Sequence, residues 1–347
     1  MNNTKTFFEQ KITTMNFVLA LLVMFIHSEN TSLYGSTLSL ASCIEKFISI
    51  TLGDLAVPLF YMISSYLFYR NYDSSQISKK YQRRIKSILI PYFVWNVLYL
   101  ILFCVITRSS YLLTLMTTEI FSLSWKLLFD SILFHKFNMV FWFMQQLIYF
   151  IILSPLVYGL TKKKIFPFLS IALIFLGAYI PSFPNNTYGI RIDMLTYWIL
   201  GCYFATHKTI LFEKKNSSPF SLVCFTVLII TRYVSSYYMN DITFLQYRYV
   251  YSAFYKCTPF LVFNKLGSFL ISPLVDTYYF LYICVPPFIG RWLEKGKCSL
   301  SASYLFMDVN KLLPSVFISL IIIIIISKIL IKRLPHLWNT LTGWRKP

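Results

Sequence analysis

The chain has 347 residues, of which 57% are hydrophobic and only 13% are charged, whereas soluble domains carry roughly 25% charged residues. A soluble fold of this length cannot bury so much apolar surface, so the composition excludes an ordinary globular protein and indicates an integral membrane protein. The net charge of +19 would suggest nucleic-acid binding in a soluble protein, but here the basic residues lie between apolar runs. No nucleic-acid partner is predicted.

Apolar runs recur along the whole chain, and most have the length of roughly 20 residues that a helix needs to cross a bilayer. They predict an all-α, polytopic membrane protein with about ten transmembrane helices. The whole of 1–347 is predicted to form one transmembrane domain, with no separate soluble domain. The predicted spans are 11–29, 49–69, 87–107, 140–160, 165–181, 193–206, 218–238, 243–263, 267–289 and 312–332.

Four clusters of basic residues fall on one side of the membrane if every predicted span crosses it. Lys and Arg collect on the cytoplasmic side of membrane proteins, so both termini are predicted to be cytoplasmic. The densest cluster lies between the second and third spans, in "RNYDSSQISKKYQRRIKS", and it includes Arg70, Arg83, Arg84 and Lys86. Another cluster, Lys162–Lys164, follows the fourth span. Such a cluster is expected to contact anionic membrane lipid, to bind the phosphates of a cytosolic ligand, or to do both.

The first span, "TTMNFVLALLVMFIHSEN", ends with His27 on the outer side, close to Glu29. One interpretation is a histidine in the wet interfacial region. The other is a general base, because an imidazole pKa of about 6.5 suits proton transfer near neutral pH. Asn16 lies eleven residues earlier, on the same helix face and about 16 Å away. Glu29 or another acid, such as Glu45 or Asp54, is a candidate to orient the imidazole.

The second and fourth spans carry polar residues with two interpretations each. Ser64 and Tyr66 follow Pro58 in the second span, where small residues allow close helix packing and hydroxyls can line the path of a substrate. Trp142 and Gln145 begin the fourth span on the outer side. Trp142 is either an interfacial anchor or a surface on which a sugar stacks.

The remaining polar candidates lie in loops or at span ends. Arg191 and Asp193, at the outer mouth of the sixth span, form either a plain ion pair or a contact with a bound substrate. His135 is predicted in an outer loop, and His207 and His336 on the cytoplasmic side, all three without a partner pattern. The 7 scattered cysteines form no CxxC pair or Cys/His cluster, so no metal site is predicted.

Seven short phrases resemble, in order, the membrane acyltransferase-3 family of bacterial O-acyltransferases. They are "VMFIHSEN", "VPLFYMISSYLFY", "KKYQRRIKSILIPYFVWN", "FWFMQQLIYFIILSPLVY", "YWILGCYFA", "TYYFLYICVPPFI" and "LTGWRK". The resemblance covers nearly the whole chain. It implies a ten-helix unit in the bacterial cytoplasmic (inner) membrane, with no attached extracytoplasmic domain.

The resemblance implies an O-acyltransferase, with acetyl the first candidate group. The donor would be cytosolic acyl-CoA such as acetyl-CoA, with no bound cofactor, and the acceptor a hydroxyl of a cell-surface polysaccharide or its lipid-linked precursor. His27 takes the position of the family's histidine, and Arg84 lies in the family's basic phrase. Where the family usually has Arg, this chain has Asn16, and Arg84 or Lys86 is the candidate to cover that role. Val285 replaces a second histidine that often precedes Pro286.

Two other classes stay open at the sequence level. One is a membrane transporter or exporter of a glycan or small solute, although no similarity between the two halves of the chain indicates inverted repeats. The other is a catalytically impaired relative, because the family's Arg and second histidine are replaced. No Walker loop, HExxH or GxSxG phrase supports ATP-driven transport, metalloprotease or serine-hydrolase chemistry.

Overall fold

The computed structural model describes residues 7–27, 43–45, 47–73, 75, 77–108, 124–163, 166, 169, 172–173, 176, 182–183, 188–207, 230 and 309–343. Nearly all of these residues are helical, in agreement with the predicted class. The spans predicted at 218–238, 243–263 and 267–289 lie outside the described residues, apart from the single position 230. Only five positions of the span predicted at 165–181 are described.

Ten α-helices and one short hairpin make up the described part of the chain. The helices are α1 (Phe7–His27), α2 (Ala56–Tyr69), α3 (Ile77–Arg84), α4 (Ile90–Arg108), α5 (Trp125–Leu133), α6 (Trp142–Ile152), α7 (Ser154–Thr161), α8 (Ile192–Thr206), α9 (Val309–Arg333) and α10 (Pro335–Thr342). A π-helical turn (Phe47–Leu52) and a 3-10 turn (Gly53–Leu55) precede α2, a second π-helical turn (Ile85–Leu89) joins α3 to α4, and a 3-10 turn (Met139–Phe141) precedes α6. The hairpin strands are β1 (Ser182–Phe183) and β2 (Ile190–Arg191).

Two described helices, Cys43–Tyr69 and Ile77–Val105, are long and apolar enough to cross a membrane. A third span results if the bent pair Met139–Ile152 and Ser154–Thr161 counts as one. The apolar part of α1, Ile12–His27, is shorter. The described residues therefore contain two or three candidate spans, and the count of ten and the cytoplasmic termini stay predictions.

The bend of 62° between α6 and α7 has a local cause. Pro155 lies in the first turn of α7, and a proline there has no N–H to donate and its ring clashes with the carbonyl four residues earlier. The carbonyl that Pro155 leaves without its helical donor is that of Ile151, and beside the break the Ser154 carbonyl accepts a hydrogen bond of 2.9 Å from the Tyr69 hydroxyl. A side chain of α2 thus bonds to the backbone at the start of α7.

The chain divides into two compact units, each built from three separate stretches. The first unit comprises Met1–Leu22, Ile50–Lys80 and Tyr149–Val275. The second unit comprises Val23–Ser49, Tyr81–Ile148 and Asp276–Pro347.

The first unit is centred on the packing of α2 against α8. Gly201 lets the two backbones approach closely, since a Cβ at this position would lie 2.4 Å from the Met62 carbonyl oxygen and 2.7 Å from Ser65 Cβ. The Ser65 hydroxyl donates a hydrogen bond to the Trp198 carbonyl of α8. Small residues of this kind are the usual means by which membrane helices come into close contact.

An aromatic cluster fills the space beside this contact. The Trp198 ring lies 6.0 Å, between centroids, from each of the rings of Phe68, Tyr69 and Phe150. The short hairpin pairs Ser182 with Arg191 in antiparallel register and leads directly into α8. The start of α8 is therefore held by backbone pairing as well as by side chains.

The second unit packs α5 and α10 against α4. The Tyr92 hydroxyl donates to the Leu133 carbonyl at 2.7 Å, and Asn96 Nδ2 donates to the Ile132 carbonyl at 3.0 Å. Both acceptors are end-of-helix carbonyls of α5 that have no partner within that helix. The segment predicted as an outer loop therefore contains a helix that packs along the third predicted span.

The C-terminal helix α10 docks on the start of α4. Trp95 Nε1 donates to the Leu341 carbonyl at 3.2 Å. Gly343 ends the helix with a left-handed φ of 73°, which glycine adopts without strain, and an added Cβ would lie 2.4 Å from the Ser87 carbonyl oxygen. The glycine of the terminal "LTGWRK" phrase is thus required by both conformation and space.

Candidate functional site

A cavity of about 580 Å³ opens in the first unit where the C-terminal ends of α2, α7 and α8 meet. Its basic lining comes from the residues that cap these three helices, Arg70, Lys162 and His207. Its aromatic lining includes Tyr69, Tyr72 and Tyr158. No Asp or Glu is among the lining residues in the described part of the chain.

The tyrosines and basic side chains of the cavity contact one another. The rings of Tyr72 and Tyr158 lie 4.4 Å apart between centroids, and Lys162 Nζ lies 4.3 Å from the centre of the Tyr158 ring. Lys80 extends from α3 to donate to the Phe68 carbonyl at 2.8 Å, with its Nζ 5.0 Å from the centre of the Tyr72 ring. Asp73 is the nearest acid in sequence, and hydrogen bonds from the backbone and hydroxyl of Ser75 lower the pKa of its exposed carboxyl.

A buried polar group occupies the second unit around His135, which is 3% exposed. Its Nε2 lies 3.1 Å from Oε1 of Gln145, so that the imidazole donates and the amide oxygen accepts. The backbone of His135 has a left-handed φ of 48° and lies in the connection between α5 and the 3-10 turn before α6. The sequence predicted no partner for His135, because its partner comes from the next helix and is brought near only by this turn.

Asn138, three residues after His135, and Asn96 of α4 carry buried amide atoms without hydrogen-bond partners in the described residues. Both side-chain atoms of Asn138 are unpaired, and so is Oδ1 of Asn96. Leaving such a group unpaired costs about 1–3 kcal/mol, so native structures contain few of them, and functional sites are one place where they occur.

Burial lowers the pKa of His135 below the ordinary 6.5, and the hydrogen bond to Gln145 offsets this only in part. The unfolded chain therefore takes up a proton at a higher pH than the folded chain does. Stability should fall as the pH drops below about 6.5, by at most about 1.4 kcal/mol per pH unit, until the folded imidazole is also protonated.

Thermal unfolding of the detergent-purified protein at about pH 5 and about pH 7.5 measures this effect. The variant His135→Gln keeps a neutral donor beside Gln145 and should show a smaller loss of melting temperature at the lower pH. His336→Gln, at an exposed position of α10, serves as the control. An equal pH response in the wild type and His135→Gln would contradict the prediction.

The structure places the predicted catalytic residues on or beyond α1. His27 is the last residue of this helix and its side chain is exposed, whereas Asn16 is half-buried in the middle. Both lie on one continuous helix, and the rise of 1.5 Å per residue sets them about 16 Å apart. Glu29 lies outside the described residues.

The residues predicted to bind the donor lie on a helix rather than in a loop. Arg83 and Arg84 end α3, and Lys86 follows in the π-helical turn. Arg83 and Lys86 are exposed and Arg84 is half-buried. None of the three lines the cavity.

The predicted substrate-binding residues are divided among several places. Tyr66 lines the cavity, whereas Ser64 of the same helix is half-buried and is not among the cavity residues. Trp142 is half-buried at the start of α6, and Gln145 is the hydrogen-bond partner of His135.

Arg191 and Asp193 form a two-pronged ion pair. Arg191 Nε donates to Asp193 Oδ1 at 2.9 Å, and its Nη2 donates to Oδ2 at 2.6 Å. These hydrogen bonds raise the pKa of Arg191, and Asp193 Oδ1 also accepts from the Met194 N–H in the first turn of α8. The described residues contain no group of three or more side chains suited to hold a metal.

The chain matches the model of the acyltransferase domain family, acyltransferase-3, over residues 10–345. It belongs to this family. The match includes both units and confirms the resemblance carried by the seven phrases. No curated protein and no solved structure matches the chain.

Membership in the acyltransferase-3 family makes this chain an acyltransferase by family, and its apolar helices associate it with a membrane. The sequence did not predict the cavity or the buried polar group around His135. The cavity draws residues from segments far apart in the chain. The pair of His135 and Gln145 comes from either side of a turn whose geometry no local sequence pattern reveals. Tyr66, Arg70 and Lys162 were each noted in the sequence, but nothing there indicated that they share one cavity.

Proposed function

We propose that this acyltransferase-3 protein is a multi-pass enzyme of the bacterial cytoplasmic membrane that acylates a glycan hydroxyl. It transfers an acyl group, most simply acetyl, from cytosolic acyl-CoA to a cell-surface polysaccharide or its lipid-linked precursor. The observation that carries the proposal is the family match over residues 10–345, which includes His27 and, apart from the first three residues of α1, every described helix. The apolar helices support a membrane location.

His27 is the proposed general base. In direct transfer, an imidazole nitrogen takes the proton of the acceptor hydroxyl as its oxygen attacks the thioester carbonyl. The new C–O bond forms, the C–S bond breaks, and the thiolate of coenzyme A leaves and takes up a proton. The position of His27 at the end of α1 leaves its imidazole accessible to an acceptor. A relay in which the acyl group passes first to His27 and then to the acceptor hydroxyl gives the same net reaction.

Mass spectrometry of the surface polysaccharide, from cells with and without the gene, tests the reaction. The wild type should add about 42 Da to each modified residue, the mass of an acetyl group replacing a hydrogen, or the corresponding mass of a longer acyl group. Mild alkaline hydrolysis should remove the added mass, because the proposed linkage is an ester.

The same measurement separates the enzyme from a transporter. A transporter would change the amount of surface glycan without changing the mass of its residues, and that result would contradict the proposal. An unchanged glycan in both amount and mass would indicate an impaired relative.

A further inference from the structure

We infer that the cavity between the ends of α2, α7 and α8 binds the nucleotide end of the acyl donor, with phosphates on Arg70 and Lys162 and the base on the tyrosines. The inference rests on the proposed function for the identity of the donor. It assigns the donor phosphates to residues other than Arg83, Arg84 and Lys86.

The size and shape of the cavity suit this ligand. Small-molecule sites occupy about 300–1,000 Å³, and the volume of about 580 Å³ lies within that range. The cavity wall combines aromatic rings with positively charged groups. The ring centroids of Tyr72 and Tyr158 are 4.4 Å apart, and the Lys162 ammonium lies over the Tyr158 ring. A phosphorylated aromatic molecule presents the complementary surfaces, because a base stacks on rings and phosphates pair with cations.

The electrostatic balance also favours an anion. Arg70, Lys162 and His207 cap three helices, and cations at helix C-termini are expected simply to neutralise the helix dipoles. Three helix ends supply only about −1.5 elementary charges in total. Arg70, Lys162 and the nearby Lys80 supply three formal positive charges, and Asp73, which interacts with Lys80, supplies one negative charge, so a small excess of positive charge remains.

The position in the predicted topology agrees with a cytosolic ligand. Arg70 and Lys162 belong to the basic clusters that place their helix ends on the cytoplasmic side. Acyl-CoA is made and kept in the cytosol, so its nucleotide would reach this cavity without crossing the membrane.

Binding of four probes to the purified protein in a neutral detergent tests the inference, by calorimetry. The probes are coenzyme A, adenosine 3′,5′-bisphosphate, pantetheine and inorganic pyrophosphate. The first two should bind, with pantetheine and pyrophosphate at least about tenfold weaker, because only the first two carry both base and phosphates. Pyrophosphate binding as tightly as adenosine 3′,5′-bisphosphate would overturn the inference in favour of a plain phosphate or lipid-headgroup site.

Lys162 and its neighbour provide a matched pair of variants. Lys162→Glu should weaken coenzyme A and adenosine 3′,5′-bisphosphate at least about tenfold, whereas Lys162→Arg should stay within about threefold of the wild type. Lys163→Glu makes the same charge change at an exposed residue that does not line the cavity, and should have little effect. Equal affinities of Lys162→Glu and Lys163→Glu for adenosine 3′,5′-bisphosphate would overturn the assignment of this cavity as the nucleotide site.

Transfer measurements keep this inference separate from the proposed function. If the wild type modifies its glycan and Lys162→Glu does so at an unchanged KM for acetyl-CoA, the site is wrong and the function stands. If adenosine 3′,5′-bisphosphate binds in a Lys162-dependent way but no acyl transfer occurs, the nucleotide site stands and the donor assignment is wrong.

Discussion

Replacing His27 with alanine should abolish acylation of the surface glycan while the protein stays in the membrane at its normal level. A positioned general base contributes about 10²–10⁴ in rate, so the variant should fall below detection in a glycan assay. His27 is exposed at the end of α1, so its truncation removes little packing. The measurement pairs mass spectrometry of the glycan with immunoblotting of membranes.

His336→Ala is the control for this variant, because His336 is also exposed and lies on α10, a helix of the second unit far along the chain. It should acylate normally. Normal acylation by His27→Ala would remove His27 from the mechanism. In that case loss of acylation in His135→Gln would identify the buried imidazole beside Gln145 as the base instead.

Replacing Gly201 with alanine should destabilise the first unit strongly. The added methyl would lie 2.4 Å from the Met62 carbonyl oxygen, a backbone atom that cannot move without separating α2 from α8. Overpacking of a tight interface costs about 1–3 kcal/mol, and here it also strains the hydrogen bond from Ser65 to the Trp198 carbonyl. We expect a lower melting temperature and reduced accumulation in the membrane.

Gly159→Ala is the matched control, since it makes the same change within a helix. Nothing lies within 4 Å of a Cβ built at Gly159, so the alanine meets no neighbour. Alanine is a better helix former than glycine by about 1 kcal/mol, so this variant should be unchanged or slightly more stable. Equal melting temperatures for the two variants would show that α2 and α8 tolerate separation.

The positions of the helices were largely predictable because the apolar runs themselves set them. Spans expected at 49–69 and 193–206 correspond to helices ending at Tyr69 and covering Ile192–Thr206. Hydropathy works here because every backbone group of a membrane span must be paired within its own helix. The phrase "FWFMQQLIYFIILSPLVY" contains Pro155, but the apolar run predicted one continuous span and gave no bend of 62°.

The start of the third span was less predictable. The basic stretch before it was expected to be a loop, yet Ile77–Arg84 is helical and continues through the π-helical turn. Basic side chains are compatible with helix, and their charge reports the side of the membrane rather than the local conformation.

The candidate site residues were predictable as individuals but not as a set. The family resemblance paired His27 with Asn16, helix periodicity placed them on one face, and one helix does contain both. The cavity joins Arg70, Lys162 and His207, which lie in three distant stretches, and periodicity carries no information about contacts across such distances. The partner of His135 was missed because a left-handed turn at that residue, not a regular spacing, brings Gln145 near.

The interleaving of the two units has a consequence for biosynthesis. A ribosome delivers the chain from its N-terminus, so neither unit has all its parts when the first 148 residues have entered the membrane. The second unit waits longest, because the contacts of Trp95 with Leu341 and of Ser87 with Gly343 need the last helix to be synthesised. Until then α4 must remain in the bilayer without this partner, and a chain that stalls late in translation should be recognised by quality-control proteases as incompletely assembled.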